Sequence, residues 1–153
     1  MHRATTLLLP LSALLLLAGC ADTRTYQIAV RNETSQPITI GVAKEGGKYE
    51  PQWASPEDAA LHTESHDERA WQSVVVPKGK TGYTGPLKGS FSGGAEAKLR
   101  VYGGDLLLSD VLAVSHGSPS RVDVPLSPGR NAIIIHDRLG RLDYERVPVS
   151  QGK

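Results

Sequence analysis

Large apolar residues occupy every second position in much of this chain, which is the pattern of strands with one buried face. Residues 26–31 and 38–43 both show it, and a polar segment ending in Pro37 separates them. Further segments that favour a strand lie at 73–76, 97–102, 106–114, 122–126, 132–135 and 142–149. The pattern therefore predicts an all-β protein of about 7–8 short strands.

Gly or Pro lies between most of the predicted strands, at residues 77–80, 103–105, 127–130 and 137–140. Gly adopts positive φ at no steric cost and Pro fixes φ, so both favour chain reversal. Short strands at this spacing are typical of a sandwich or barrel. We therefore expect one β-sandwich domain over residues 25–153.

One segment departs from the strand pattern. Ser55 is a good N-cap, Pro56 suits the first helical position, and two acidic residues follow in the first turn. This order predicts a short helix near residues 56–68, inside an insertion between two strands. Such an insertion either carries a binding site or only packs on the sandwich.

The first residues have the composition of a secretory signal. The only Lys or Arg before residue 20 is Arg3, and a Leu-rich stretch without charge follows it. Residues 17–20, Leu-Ala-Gly-Cys, resemble the lipobox of bacterial lipoproteins. The resemblance implies a signal peptide over residues 1–19 and a lipidated tether over residues 20–24.

The lipobox resemblance also implies a location. Cys20 is the only Cys, and in lipoproteins its thiol carries the lipid. Two or three acyl chains anchor a protein stably, whereas one does not. Ala21 follows Cys20, where enteric inner-membrane lipoproteins carry Asp, so the resemblance points to the bacterial cell envelope and more to the outer membrane, facing the periplasm or surface. The alternatives are an ordinary signal peptide followed by a chance Cys and an uncleaved anchor helix.

Composition excludes several classes of protein. With 17 Lys plus Arg and 16 Asp plus Glu, the net charge of +1 provides no electrostatic footprint for nucleic acid. One Cys cannot form an internal disulfide or a Cys-based zinc site. An apolar content of 39% is too high for a disordered chain.

Residues 124–137, followed by Gly140, resemble the last two strands of bacterial immunoglobulin-like modules. The similar features are a Pro-Gly reversal, an Asn that tolerates a left-handed backbone, and a β-branched strand that ends in an Asp turn. The resemblance implies an immunoglobulin-like sandwich that serves as a spacer or as an adhesive or ligand-binding domain. It lacks the Cys pair of antibody domains, so Trp71 is not expected to pack on a disulfide.

His62 and His66 are four residues apart, so they share one face of the predicted helix. Glu64, Asp67 or Glu68 could add oxygen ligands. The residue after His62 is Thr63, so the order of a zinc protease is absent. The alternatives are a metal site at His62 and His66 and a solvated, charged helix end.

No catalytic motif passes a check of its spacing, so we expect neither an enzyme nor a cofactor. Residues 79–81, Gly-Lys-Thr, lack the preceding Gly of a phosphate loop and predict a hairpin turn. Residues 89–93 carry Phe91 where a nucleophile elbow needs Ser, which favours a flexible loop.

Aromatic residues provide the remaining binding candidates. Tyr49 and Trp53 precede the predicted helix, and Lys98, Arg100 and Tyr102 alternate along one face of a predicted strand. Either group could contact an envelope protein or a glycan, although such faces are usually solvated. We therefore expect a membrane-anchored, non-enzymatic binding or scaffold protein with no nucleic-acid partner, and a metal-binding envelope protein is the alternative.

Overall fold

A computed structural model of the chain describes residues 22–62, 72–114 and 116–149. These residues form two four-stranded sheets with two short α-helices, so the predicted all-β sandwich is confirmed. In chain order the elements are β1 Asp22–Asn32, β2 Ile38–Glu45, a 3-10 helix Pro51–Trp53, α1 Pro56–Leu61, β3 Val74–Val76, β4 Thr81–Phe91, β5 Glu96–Gly103, α2 Leu108–Ala113, β6 Arg121–Pro125, β7 Gly129–Arg138 and β8 Arg141–Val147.

Sheet A has the strand order β4-β1-β7-β8, and sheet B has the order β3-β2-β5-β6. All neighbours are antiparallel except β1 and β7, which run parallel with Tyr26 opposite Gly129. Asp22 pairs with Phe91, so β1 begins where β4 ends. That end of the sandwich is here called the proximal end.

The core lies between the inner faces of the two sheets. The alternating apolar residues of β1 and β2 face each other across it, as their period of two requires. Trp53 of the 3-10 helix joins this core, with its ring centroid 5.3 Å from that of Tyr26 and 5.4 Å from that of Phe91. The buried cluster includes Ile28, Val30, Ile38, Ile40, Val42, Leu99, Val101, Val124, Ile133 and Ile135.

The two helices pack on the outer face of sheet B. A second apolar cluster joins Ala59 of α1, Leu108 and Val111 of α2, and Tyr102 of β5. The α1 N-cap forms as predicted, because the Ser55 hydroxyl accepts a hydrogen bond from the Asp58 N–H at 3.1 Å. The described part of α1 ends at Leu61, and residues 63–71 of the predicted helix and its surroundings lie outside the described residues.

The strand prediction for residues 106–114 is wrong, because Leu108–Ala113 form α2. Asp110 at the third helical position accepts a hydrogen bond from the Leu107 N–H at 3.0 Å, which satisfies a free donor at the helix start. Leu108 and Val111 are three residues apart and both are buried. This apolar run therefore has the helical period and not the period of two.

The sequence analysis missed β4, which contains three Gly and Pro86 and therefore has low strand propensity. Residues 89–91, predicted as part of a flexible loop, are the end of β4, and Phe91 lies in the core. Residues 77–80 do reverse the chain, with the Lys80 N–H donating to the Pro77 carbonyl. They connect β3 in sheet B to β4 in sheet A, so the turn is not that of a hairpin.

The folded body begins earlier than its predicted boundary at residue 25. Residues 22–24 belong to β1 and pair with β4, although the sequence analysis assigned them to the tether. The predicted signal peptide over residues 1–19, and Cys20, lie outside the described residues. Within the described part of the chain, no helix has the length and apolar character needed to cross a bilayer.

Candidate functional site

The outer face of sheet A carries a row of four apolar residues on neighbouring strands. Tyr83 of β4 pairs with Ala29 of β1, Ala29 pairs with Ala132 of β7, and Ala132 pairs with Val147 of β8. Tyr83 is 72% exposed and Val147 is 39% exposed, whereas both Ala residues are half-buried. The small Ala side chains therefore form a depression at the centre of this row, and the larger side chains of Tyr83 and Val147 stand at its two ends.

A groove of about 330 Å³ lies over the centre of this row. Its floor includes Ala29 and Ala132, and its other lining residues include Tyr83 and Pro86 of β4 and Val149, just after β8. The pairing of β1 with β4 shifts register between Tyr26 and Ile28, opposite the part of β4 that contains Pro86. The groove thus lies beside an irregular part of the sheet.

Two cations lie on the same face near the proximal end. Arg130 of β7 lines the groove, and Lys88 of β4 pairs with Thr25 of β1, one outward row closer to the proximal end than Arg130. Neither side chain forms an ion pair with a residue that the structure describes. The acidic residues of the neighbouring strand β8, Asp143 and Glu145, pair with residues farther along β7. The groove is therefore apolar with an unneutralised basic side.

A second cleft, of about 180 Å³, lies where the sequence analysis placed an aromatic binding site. Tyr49 is 41% exposed, and its ring stacks on that of His62 with centroids 4.4 Å apart. Trp53 is only 1% exposed, and its Nε1 donates to the Lys88 carbonyl at 3.2 Å. Trp53 is therefore a core residue that also lines the cleft, and ligand binding by Tyr49 or Trp53 stays a prediction.

The cleft is closed on one side by an ion pair. Lys44 points inward from β2, its side chain is only 3% exposed, and it pairs with Glu50. Because this lysine is already neutralised, it offers little attraction to an anionic ligand.

The histidines that the structure describes do not form a metal site. The described residues contain no group of three or more His, Cys, Asp or Glu able to hold a metal ion. His66 lies outside the described residues, His116 lies 3.4 Å from Asp123, and His136 lies between Glu33 and Glu145 at 3.6 and 3.7 Å. The metal site at His62 and His66 therefore stays a prediction without a further described ligand.

The predicted basic face on β5 is covered and not free for a partner. Tyr102 is 0% exposed and Arg100 only 7%, because α1 and α2 lie over them. The Arg100 guanidinium donates to Glu57 of α1 at 2.7 Å and to Glu45 of β2 at 3.2 Å. Lys98 also pairs with Glu45 within sheet B, and the Arg100–Glu57 pair attaches α1 to this sheet.

The pKa shifts follow from this packing. Burial raises the pKa of Tyr102 to about 12, although two arginines oppose the change. Burial also acts to raise the pKa of Glu57, but hydrogen bonds and the charge of Arg100 outweigh it, so this pKa lies below its usual value. Sequence reasoning missed the cluster because Glu57 and Arg100 are 43 positions apart. The only local signal was the charged Glu57 in the first turn of the predicted helix.

Comparisons with protein-family models, with curated proteins and with solved structures found no match to this chain. No family is therefore assigned, and the resemblance to immunoglobulin-like modules stays an expectation. Two features bear on function: the groove on sheet A, and the short distance in sequence between Cys20 and the start of β1.

Proposed function

We propose that this chain is a lipid-anchored protein of the bacterial cell envelope, preferentially of the outer membrane, whose sandwich is a non-enzymatic binding module. The lipobox-like residues 17–20 and the single Cys20 support the anchor. Only Ala21 separates Cys20 from the start of β1 at Asp22. Two residues of extended chain span about 7 Å, so the proposed anchor holds the proximal end close to the bilayer.

The single observation that supports binding is the groove on sheet A. Tyr83 is 72% exposed beside an apolar floor, in a surface that no described helix or loop covers in the way that α1 and α2 cover sheet B. Concave apolar sites with a few polar groups are the usual form of ligand pockets, and exposed apolar patches often mark them. The groove is thus the surface through which we expect the module to act.

Replacement of Cys20 tests the anchor. In cells of a bacterial host, Cys20→Ser should lose palmitate labelling and membrane association, because a hydroxyl does not replace the thiol in lipid transfer. Ala21→Ser introduces the same side chain one residue later and should leave both unchanged. Membrane-bound, palmitate-labelled Cys20→Ser protein would contradict the anchor.

A photoreactive amino acid at position 83 tests the binding surface. After irradiation of intact cells, the intact mass of the purified protein should show a discrete adduct, because Tyr83 borders the groove. The same amino acid at exposed Lys78, in the turn between β3 and β4, is the matched control. Equal adduct yields at the two positions, or none at either, would contradict a binding role for the groove.

A further inference from the structure

We propose that the groove on sheet A binds a single-chain anionic amphiphile released from the adjacent membrane, with the apolar chain over Ala29 and Ala132 and the acidic head at Arg130. The inference rests on the proposed binding role of the groove and adds the chemical class of its ligand. Shape, charge and position on the sandwich each support it.

The groove suits one apolar chain. Its floor consists of Ala29 and Ala132, whose methyl groups leave room above the sheet, and the Tyr83 ring is among its lining residues. Its volume of about 330 Å³ is at the lower end for ligand pockets, which suits one acyl chain better than two. Burial of methylene groups there removes apolar surface from water, which favours binding.

The charge favours an acidic head. The side chain of Arg130 lines the groove and has no ion-pair partner among the described residues. On the outer face of β1 and β4, the next pair of residues towards the proximal end is Thr25 and Lys88, and the pair after that is Thr23 and Ser90. Neither pair contains an acidic residue. A guanidinium forms charge-assisted hydrogen bonds with a carboxylate or phosphate, so an anionic head fits this end of the groove.

The position of the groove favours a ligand from the membrane. Arg130 at the start of β7 pairs with Gln27 in the middle of β1, so the Arg130 side of the groove is the side nearer to the proximal end. The proposed lipid on Cys20 would hold the proximal end at the bilayer, so the basic side of the groove would be its side nearer to the membrane. The groove extends on the face of sheet A from the edge strand β4 across β1 to β7, and its apolar floor at Ala29 and Ala132 lies on the interior strands β1 and β7.

Binding of dodecanoate below its micellar concentration tests the proposal. The protein is the complete mature chain with Cys20→Ser, which changes no described residue, and the alanine methyl groups carry ¹³C. We expect saturable shifts of the Ala29 and Ala132 methyl signals, while that of Ala97 in the core stays unchanged. Dodecyltrimethylammonium has the same chain and the opposite charge, so its affinity should be lower by at least about fivefold.

Two matched pairs of variants separate the chain from the head. Arg130→Gln should weaken dodecanoate binding about fivefold, whereas Arg141→Gln at the other end of sheet A should not change it. Ala132→Phe fills the groove and should abolish binding, whereas Ile134→Phe, one row farther along β7, should not. If Ala132→Phe does not fold, Ala29→Leu provides the same test.

Three results would overturn the proposal: no saturable methyl shift, equal binding of the cationic amphiphile, or normal dodecanoate binding by Ala132→Phe. A protein adduct at position 83 without dodecanoate binding would support the groove as a binding surface and would contradict an amphiphile as its ligand. Saturable dodecanoate binding together with membrane-bound Cys20→Ser would remove only the anchor.

Discussion

The indole of Trp53 packs against the backbone of Gly89 so closely that a Cβ at position 89 would lie 2.6 Å from Nε1. Real Cβ atoms essentially never come that near, and the indole is fixed by its hydrogen bond to the Lys88 carbonyl. The lack of a side chain at Gly89 therefore lets Trp53 of the 3-10 helix pack in the core.

Gly89→Ala should lower the free energy of unfolding by about 1–3 kcal/mol, because the added methyl group overpacks the core. Urea denaturation measures the change. Ser90→Ala at the next, exposed position should have little effect. An equal denaturation midpoint for Gly89→Ala and the unaltered chain would show that Trp53 does not pack on this strand.

Glu57→Ala should lower the free energy of unfolding by about 1 kcal/mol, because it removes, at the start of α1, one of the two carboxylates that accept hydrogen bonds from the Arg100 guanidinium. The value is modest because the Glu57 side chain is 55% exposed. Glu96 is exposed and forms no ion pair with the residues that the structure describes, so Glu96→Ala is the control and should change stability little. An equal loss in both variants would indicate that the ion pair does not attach α1 to sheet B.

Acid should destabilise the fold through its paired carboxylates. The backbone N–H and the hydroxyl of Ser35 both donate to Asp137 at 2.7 Å and lower its pKa below the usual 3.8. A hydrogen bond from Lys98 likewise lowers the pKa of Glu45 below 4.5, although burial opposes it. As pH falls, both carboxyl groups become protonated in the unfolded chain before they do so in the folded protein. The stability that the two ionised groups contribute is therefore complete above about pH 5, and it is lost as pH falls through their pKa values in the folded protein.

Urea midpoints measured from about pH 7 to about pH 3 should therefore decline, and the decline should be smaller in Asp137→Asn. Asp105→Asn, which removes the same charge from another exposed aspartate, is the comparison. A profile of Asp137→Asn that parallels that of the unaltered chain would contradict the role of the Ser35 contacts.

Gly129→Val should destabilise the start of β7. Gly129 has a φ of +92°, a conformation that a β-branched residue adopts only with strain of about 1–3 kcal/mol. No atom lies within 4 Å of the added Cβ, so the loss comes from the backbone and not from a clash. Gly129→Asn should lose less, because Asn tolerates positive φ better. Thermal unfolding of the two variants compares them, and equal losses would contradict this cause.

The sequence predicted those parts of the fold that depend on local pattern. β1 and β2 alternate clearly because each buries one face, and Ser55 to Asp58 carry the complete signal of a helix start. β4 escaped notice because Gly82 and Gly89 serve close packing against Val76 and Trp53, a tertiary demand that lowers the local strand signal.

The candidate site could not be predicted from the sequence in the same way. Ala29, Tyr83 and Ala132 lie more than 45 positions apart, and only the order of strands in sheet A makes them neighbours. Trp53 illustrates the opposite case, because its size and polarity suit a binding surface or a core equally well. The alternative is decided by the fold, which places Trp53 between Tyr26 and Phe91.

The parallel pairing of β1 with β7 has a consequence for export. β1 is an interior strand of sheet A, and its two neighbours begin at Thr81 and Gly129, late in the chain. If the chain is exported with its amino end first, as we propose, β1 cannot complete its pairing with β7 until about residue 135 has left the translocation pore, because contacts between distant residues form only after both are free. The order of strands would thus delay completion of sheet A until most of the polypeptide had passed through the channel.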